Sequence, residues 1–102
     1  MAIQYRVEYI STFHTDVWHT AEVLTDYPIK AARIFAKIDQ LLKPLETMPE
    51  MYPVYQDVPS FRFIVVEDYL VLYKVKKQEK LIEVHRLLYG RMNIPAYLMC
   101  SL

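Results

Sequence analysis

Residues 3–9 alternate strictly: Ile3, Tyr5, Val7 and Tyr9 fall on one side, Gln4, Arg6 and Glu8 on the other. A period of two carried by β-formers predicts a strand with one wet face. The period then lengthens. Phe13, Val17, Ala21 and Leu24 recur at helical spacing, with Ser11 or Thr12 placed to act as N-cap. That helix should stop near Thr25-Asp26-Tyr27, because the residue before a proline avoids the helical region. Pro28 suits the first position of a second helix. Its apolar stripe is Ala31, Ile34, Phe35, Ile38, Leu41 and Leu42, and Pro44 ends it. Residues 44–59 carry four prolines and no Lys or Arg. They read as a long irregular connection, a kind of segment that is often functional. Three strand candidates follow, SFRFIVV (60–66), YLVLYKV (69–75) and LIEVHRLLY (81–89), separated by turns at Glu67-Asp68 and at 76–80.

The order β-α-α-β-β-β predicts one α+β domain over residues 1–102. In it the N-terminal strand and a helix hairpin pack on a twisted antiparallel sheet, with one sheet face left partly open. A chain of 102 residues buries roughly 65% of its unfolded surface without disulfides or metals. The single cysteine, Cys100, excludes an intrachain disulfide and favours a reducing compartment. The alternating N-terminus lacks a signal-peptide core. No apolar run reaches the roughly 18 residues of a membrane helix. A cytoplasmic, membrane-free protein is expected.

Formal charge is zero but unevenly spread. Residues 1–61 hold five Lys/Arg against eight Asp/Glu, and residues 62–91 hold seven against four. Contact with a phosphate backbone would therefore fall to the C-terminal third. His14 and His19 are five apart, off the i, i+4 spacing of a helical metal pair, and there is no Cys-x-x-Cys. The one glycine, Gly90, rules out a glycine-rich phosphate loop and has a simple backbone explanation in a turn with positive φ. No metal or cofactor is expected. What remains is a cluster in the last three strands: Arg62, His85, Arg86, Tyr89 and Arg91. Simple alternation groups Arg86 and Leu88 with Ile82 and Val84, and puts His85 on the opposite face with Glu83, Leu87 and Tyr89, unless a bulge intervenes.

The C-terminal sequence RFIVVEDYLVLYKVKKQEKLIEVHRLLYGRMNIPAYL resembles the second half of RelE/ParE toxins of bacterial type II toxin–antitoxin (plasmid stabilisation) systems. The shared features are Arg62 opening the first meander strand, the Tyr69–Tyr73 strand, and the run Leu88–Ile94. The resemblance implies two helices on a twisted sheet, a cognate antitoxin that wraps the toxin, and growth arrest by one of two routes. Some relatives cleave messenger RNA on the ribosome; others poison DNA gyrase. Two departures count against cleavage. Met92 and Asn93 stand where the family has Arg and Asp, and residues 44–59 lack the lysines some ribosome-dependent nucleases place there.

As a metal-independent endoribonuclease, the favoured expectation, the protein would grip RNA phosphate with Arg62, Arg91 and, if its face is open, Arg86. His85 or Tyr89 would move the proton, with Glu50 a remote candidate base. Losing one phosphate-gripping Arg would cost on the order of 10²-fold in rate. As a gyrase poison it needs no acid–base pair, and Tyr89, Arg91 and Tyr97 would anchor a protein interface; overall neutrality suits this reading. A third reading is an inactive relative that binds only its antitoxin.

Overall fold

The computed structural model describes residues 4–90, 93–95 and 98. Pro28 opens the longer helix, α2 (Pro28–Leu42), at its first turn, where a missing N–H costs nothing. Ile34, Ile38 and Leu42 recur every four residues and are all buried, flanked by half-buried Ala31, Phe35 and Leu41. Pro44 converts the next turn to a 3₁₀ helix, Lys43–Glu46. The preceding helix, α1 (Ser11–Val23), begins after Ile10 with no side-chain cap. The expected caps do other work or none: the Thr12 hydroxyl donates instead to the carbonyl of His85 at 2.7 Å.

β1 (Arg6–Tyr9), β2 (Arg62–Val66), β3 (Tyr69–Lys76) and β4 (Leu81–Tyr89) form one sheet in the order β1-β4-β3-β2. The last three strands are the expected antiparallel meander. β1 joins β4 in parallel, so the sheet is mixed rather than wholly antiparallel. α1 packs along β4 and α2 over β2. Their side chains meet Ile64, Val66, Val71, Tyr73, Ile82, Val84 and Leu87 in the main core. Each fully buried aliphatic side chain there contributes about 1.5–3 kcal/mol. The opposite sheet face carries a second, smaller core in which Leu72 and Leu88 meet Phe61 and Val58 of the loop and Ile94 and Leu98 of the C-terminal segment.

The inward face of α1 differs from the expected stripe. Phe13 and Leu24 are buried, but so are Asp16 and Thr20, while Ala21 is exposed. The reason is where the helix lies. β1 pairs with β4 only as far as Val84, and beyond it α1 runs beside the open edge of β4. Thr12 takes the His85 carbonyl there, and the Asp16 carboxylate accepts the Leu87 N–H at 3.0 Å. Polar side chains stand in where β1 no longer continues along β4, as buried backbone groups require.

A bulge also changes the reading of β4. Leu72 pairs with Arg86 but Tyr73 pairs with Val84, leaving His85 as the extra residue. Parity flips there. Leu87, not Leu88, follows Ile82 and Val84 into the main core, and Leu88 goes to the second core.

Candidate functional site

Arg62 opens β2 at the mouth of the long loop, and that loop has already closed on it. One guanidinium nitrogen donates to the carbonyls of Tyr52 at 2.6 Å and Glu50 at 3.3 Å, and the other meets the Glu50 carboxylate at 3.1 Å. Lys77, from the β3–β4 turn, reaches the same carboxylate at 3.0 Å. Lys77 first, then Arg62, holds the Glu50 carboxyl below its ordinary range, so the candidate base is bound between two cations. Tyr73, opposite Arg62 in the register, donates its hydroxyl to the Pro49 carbonyl at 3.1 Å, and burial pushes its pKa up to about 12.

His85 projects to the second core. Its ring stands edge-on to Phe61 at 5.3 Å, and Nε2 lies 3.2 Å from a Glu83 carboxylate oxygen. The Lys74 ammonium sits 4.8 Å from the centre of the same Phe61 ring. Burial lowers the His85 pKa; Glu83 opposes that shift and Lys74 adds to it. Arg86 leaves the bulge sideways, toward α1. Its Nε and Nη2 donate to Asp16 at 2.7 and 3.0 Å in a fork, with only 13% and 10% of the two side chains exposed. Tyr89 closes β4, stacked edge-on against Tyr69 at 5.7 Å. It lines an open cleft of about 470 Å³ with His19, Val23, Leu24 and Lys30.

These placements separate the candidates. Arg62 pairs opposite Tyr73 and Tyr89 opposite Tyr69, so they stand four residues apart along the sheet, roughly 13 Å at a strand's rise, and two strands apart across it. His85 is on the second face, and Arg86 is at an edge. Arg91 and Tyr97, like Cys100, lie outside the described residues. His14 and His19 stand exposed on α1.

Sequence reasoning missed two residues that organise this region and misread a third. Asp16 was masked by the apolar residues around it, although a carboxylate at the i+3 position from Phe13 was a legible anomaly. Glu67 occupies the β2–β3 turn with φ of 55°, a left-handed conformation, and Arg33 of α2 grips its carboxylate with two bonds of 2.8 and 2.9 Å. The signal for Glu67 was a tight turn with neither glycine nor asparagine. Gly90 was noticed for the wrong reason. Its φ is not positive; its N–H donates to the Asp68 carbonyl at 2.8 Å, and a Cβ would stand 3.1 Å from that same oxygen. Close approach of two backbones, not a left-handed turn, explains the glycine.

The family described as the ParE toxin of the type II toxin–antitoxin system parDE matches residues 7–94, a span that takes in α1, α2 and β2 to β4. The chain belongs to the ParE toxin family. A ParE-family toxin of a type II toxin–antitoxin system is thus what the sheet and helices build. Solved structures agree on the fold. The chromosomal ParDE toxin–antitoxin system of P. aeruginosa aligns with a TM-score of 0.70 at 18% identity, over 86% of this chain and 98% of that one. The toxin–antitoxin complex RelBE2 of Mycobacterium tuberculosis aligns with a TM-score of 0.60 at 17% identity, over 85% and 92%. No curated protein matches the chain. The α+β architecture of two helices on a four-stranded mixed sheet is common to these structures and to this ParE-family chain. Among the described residues no helix is long and apolar enough to cross a membrane.

Proposed function

We propose that this toxin acts as a DNA gyrase poison that binds its target without hydrolysing RNA, and that a cognate antitoxin neutralises it. The observation carrying the choice is the dispersal of the candidate acid–base and phosphate-gripping groups. Cleavage by an RNA 2′-hydroxyl needs a base, an acid and cations converging on one phosphate. Arg62 is held by Glu50, Arg86 by Asp16, and His85 lies against Glu83 and Phe61 on the other sheet face. A protein-docking role makes no such demand. It needs exposed aromatic and Arg anchors, a part that Tyr89 at its cleft can take. The ParE family match points the same way.

The antitoxin reading rests on the surfaces left for it. β1 is an edge strand, which an extended segment can extend through main-chain hydrogen bonds. Phe13, Val17, Phe35 and Ile38 line a groove of about 240 Å³ between α1 and α2, open to apolar side chains. The ParDE structure is of a toxin–antitoxin system and the RelBE2 structure of a toxin–antitoxin complex. Either target would place the protein in the cytoplasm.

The test compares purified toxin in a gyrase supercoiling assay and in cell-free translation with messenger RNA integrity followed, using Arg91→Ala as the control. Inhibited supercoiling with intact messenger RNA is the expected result. Codon-dependent cleavage of ribosome-bound messenger RNA, with supercoiling untouched, would return the protein to the endoribonuclease reading.

A further inference from the structure

The cleft that Tyr89 lines, about 470 Å³, is large enough to enclose a bulky side chain. Much of its wall is apolar. Val23 and Leu24 come from the end of α1, and the rings of Tyr69 and Tyr89, edge-on at 5.7 Å, come from β3 and β4. Val23 stands 72% exposed, an aliphatic side chain left in water beside an open cleft. Lys30 of α2 and Asp68 of the β2–β3 turn also line it, in a loose, solvent-exposed ion pair of 3.8 Å. An apolar wall with a wet, charged border is the make-up of an interface anchor site.

Two hydroxyls in this lining break the pattern of the rest of the fold. Thr20 is 6% exposed and Tyr69 8%, yet neither hydroxyl makes a hydrogen bond among the described residues. Their neighbours do: Thr12 and Thr15 donate to the carbonyls of His85 and Ser11, and Tyr52 and Tyr73 to those of Leu41 and Pro49. A buried hydroxyl normally has a partner, and one without a partner needs an explanation. Among the described residues no unpartnered side-chain polar atom is wholly sealed from solvent. What access these two hydroxyls keep is through the cleft their residues line. Burial first, then Asp68 and Tyr89, raises the Tyr69 pKa, so its phenol stays a neutral donor.

We infer that this cleft is the anchor pocket for one aromatic side chain of the target protein that ends in a hydrogen-bonding group, a tyrosine or a tryptophan. Its ring covers Val23 and Leu24 and meets the two tyrosine rings; its polar tip pairs with the Thr20 or Tyr69 hydroxyl. A phenylalanine would cover the same wall and leave both hydroxyls unpaired. A charged side chain would be desolvated against apolar groups. The inference rests on the reading that the Tyr89 cleft meets the target, and names what the target brings to it. The antitoxin is not the occupant, because the groove open to its apolar side chains, at Phe13, Val17, Phe35 and Ile38, shares no residue with this cleft.

The probes are para-cresol, which is the tyrosine side chain as a free molecule, and toluene, the same ring without its hydroxyl. Each is titrated into the full chain and followed in ¹H–¹⁵N spectra, for the wild type, Val23→Glu and the Thr20→Val/Tyr69→Phe double variant. Thermal melts and growth arrest at matched expression are measured in parallel, with Thr20→Val added to the melts. The wild type should bind para-cresol roughly fivefold more tightly than toluene, the worth of one neutral hydrogen bond. The double variant should close that gap and keep its affinity for toluene. Thr20→Val should melt at or above the wild type, since the hydroxyl it removes has no partner. Val23→Glu, at an exposed position, should melt like the wild type but lose para-cresol binding and growth arrest together. Equal wild-type affinity for the two probes, or a gap that survives in the double variant, overturns the pocket. So does a Thr20→Val melt well below the wild type, which would make the hydroxyl structural. Full growth arrest by Val23→Glu overturns the role in meeting the target. Gyrase enters none of these measurements, so a negative supercoiling assay would refute the target assignment and leave this result standing.

Discussion

Replacing Asp16 with alanine should be among the most damaging single changes on α1. The carboxylate accepts three hydrogen bonds: two from the Arg86 guanidinium, at 2.7 and 3.0 Å, and one from the Leu87 backbone at 3.0 Å. Both charged side chains are nearly sealed from water. Removing one member of a buried ion pair typically costs about 3–5 kcal/mol, because the remaining charge stays desolvated. A domain of this size has roughly 5–15 kcal/mol in total. A loss of about 3 kcal/mol should lower Tm by about 12–24 °C for a chain near 100 residues. Asp16→Asn keeps an acceptor for Leu87 and gives up the charge, so it should fall between. Because the attraction within a buried pair largely offsets its desolvation, the apolar double variant Asp16→Leu/Arg86→Met should recover part of the loss, short of the Leu87 N–H bond that a leucine at position 16 cannot accept. Circular dichroism melts and urea titrations of Asp16→Leu, Arg86→Met and their double variant close a thermodynamic cycle. A single Asp16→Ala within about 0.5 kcal/mol of wild type, the range of an ordinary surface change, would refute the reasoning. Strict additivity in the cycle would do the same.

Gly90→Ala should destabilise by about 1 kcal/mol, since the new methyl meets a backbone oxygen at 3.1 Å that only a shift of the β2–β3 turn can relieve; a urea midpoint equal to wild type would contradict the close approach. His85 has a native pKa lowered by burial, so its unfolded form takes up the proton first. Stability should therefore fall as pH drops from about 6.5, the unfolded imidazole value, through the lowered native value. His85→Gln should flatten that part of the profile in urea midpoints between pH 7.5 and 5, and an unchanged slope would discard the assignment. The Glu67 carboxyl, lowered chiefly by its Arg33 hydrogen bond, acts in a separate window. Its contribution is present above its ordinary value of 4.5 and is lost as pH falls through the depressed one. Arg33→Ala should remove that acid-side loss without touching the His85 window.

Much of this was legible in the chain, and the reasons differ by element. Pro28 and the four-residue recurrence of Ile34, Ile38 and Leu42 specify α2 with no outside help. The apolar β-forming runs at 60–66 and 69–75, with a turn between, mark the meander before any contact is known. The family resemblance lay in the order of these elements and in Leu88–Ile94. What local sequence could not decide was anything requiring two distant segments to meet. The parallel placing of β1 beside β4 joins residues some 75 apart in number. The bulge at His85 depends on how β3 and β4 slide past each other, and it redirects every side chain after it. The roles of Asp16, Glu67 and Gly90 arise only when α1 reaches the β4 edge, α2 reaches a turn, and that turn reaches the last strand. Periodicity records which face of an element is apolar. Which charge meets which, and whether a cation faces water or its own carboxylate, follows from the packing of whole elements against one another.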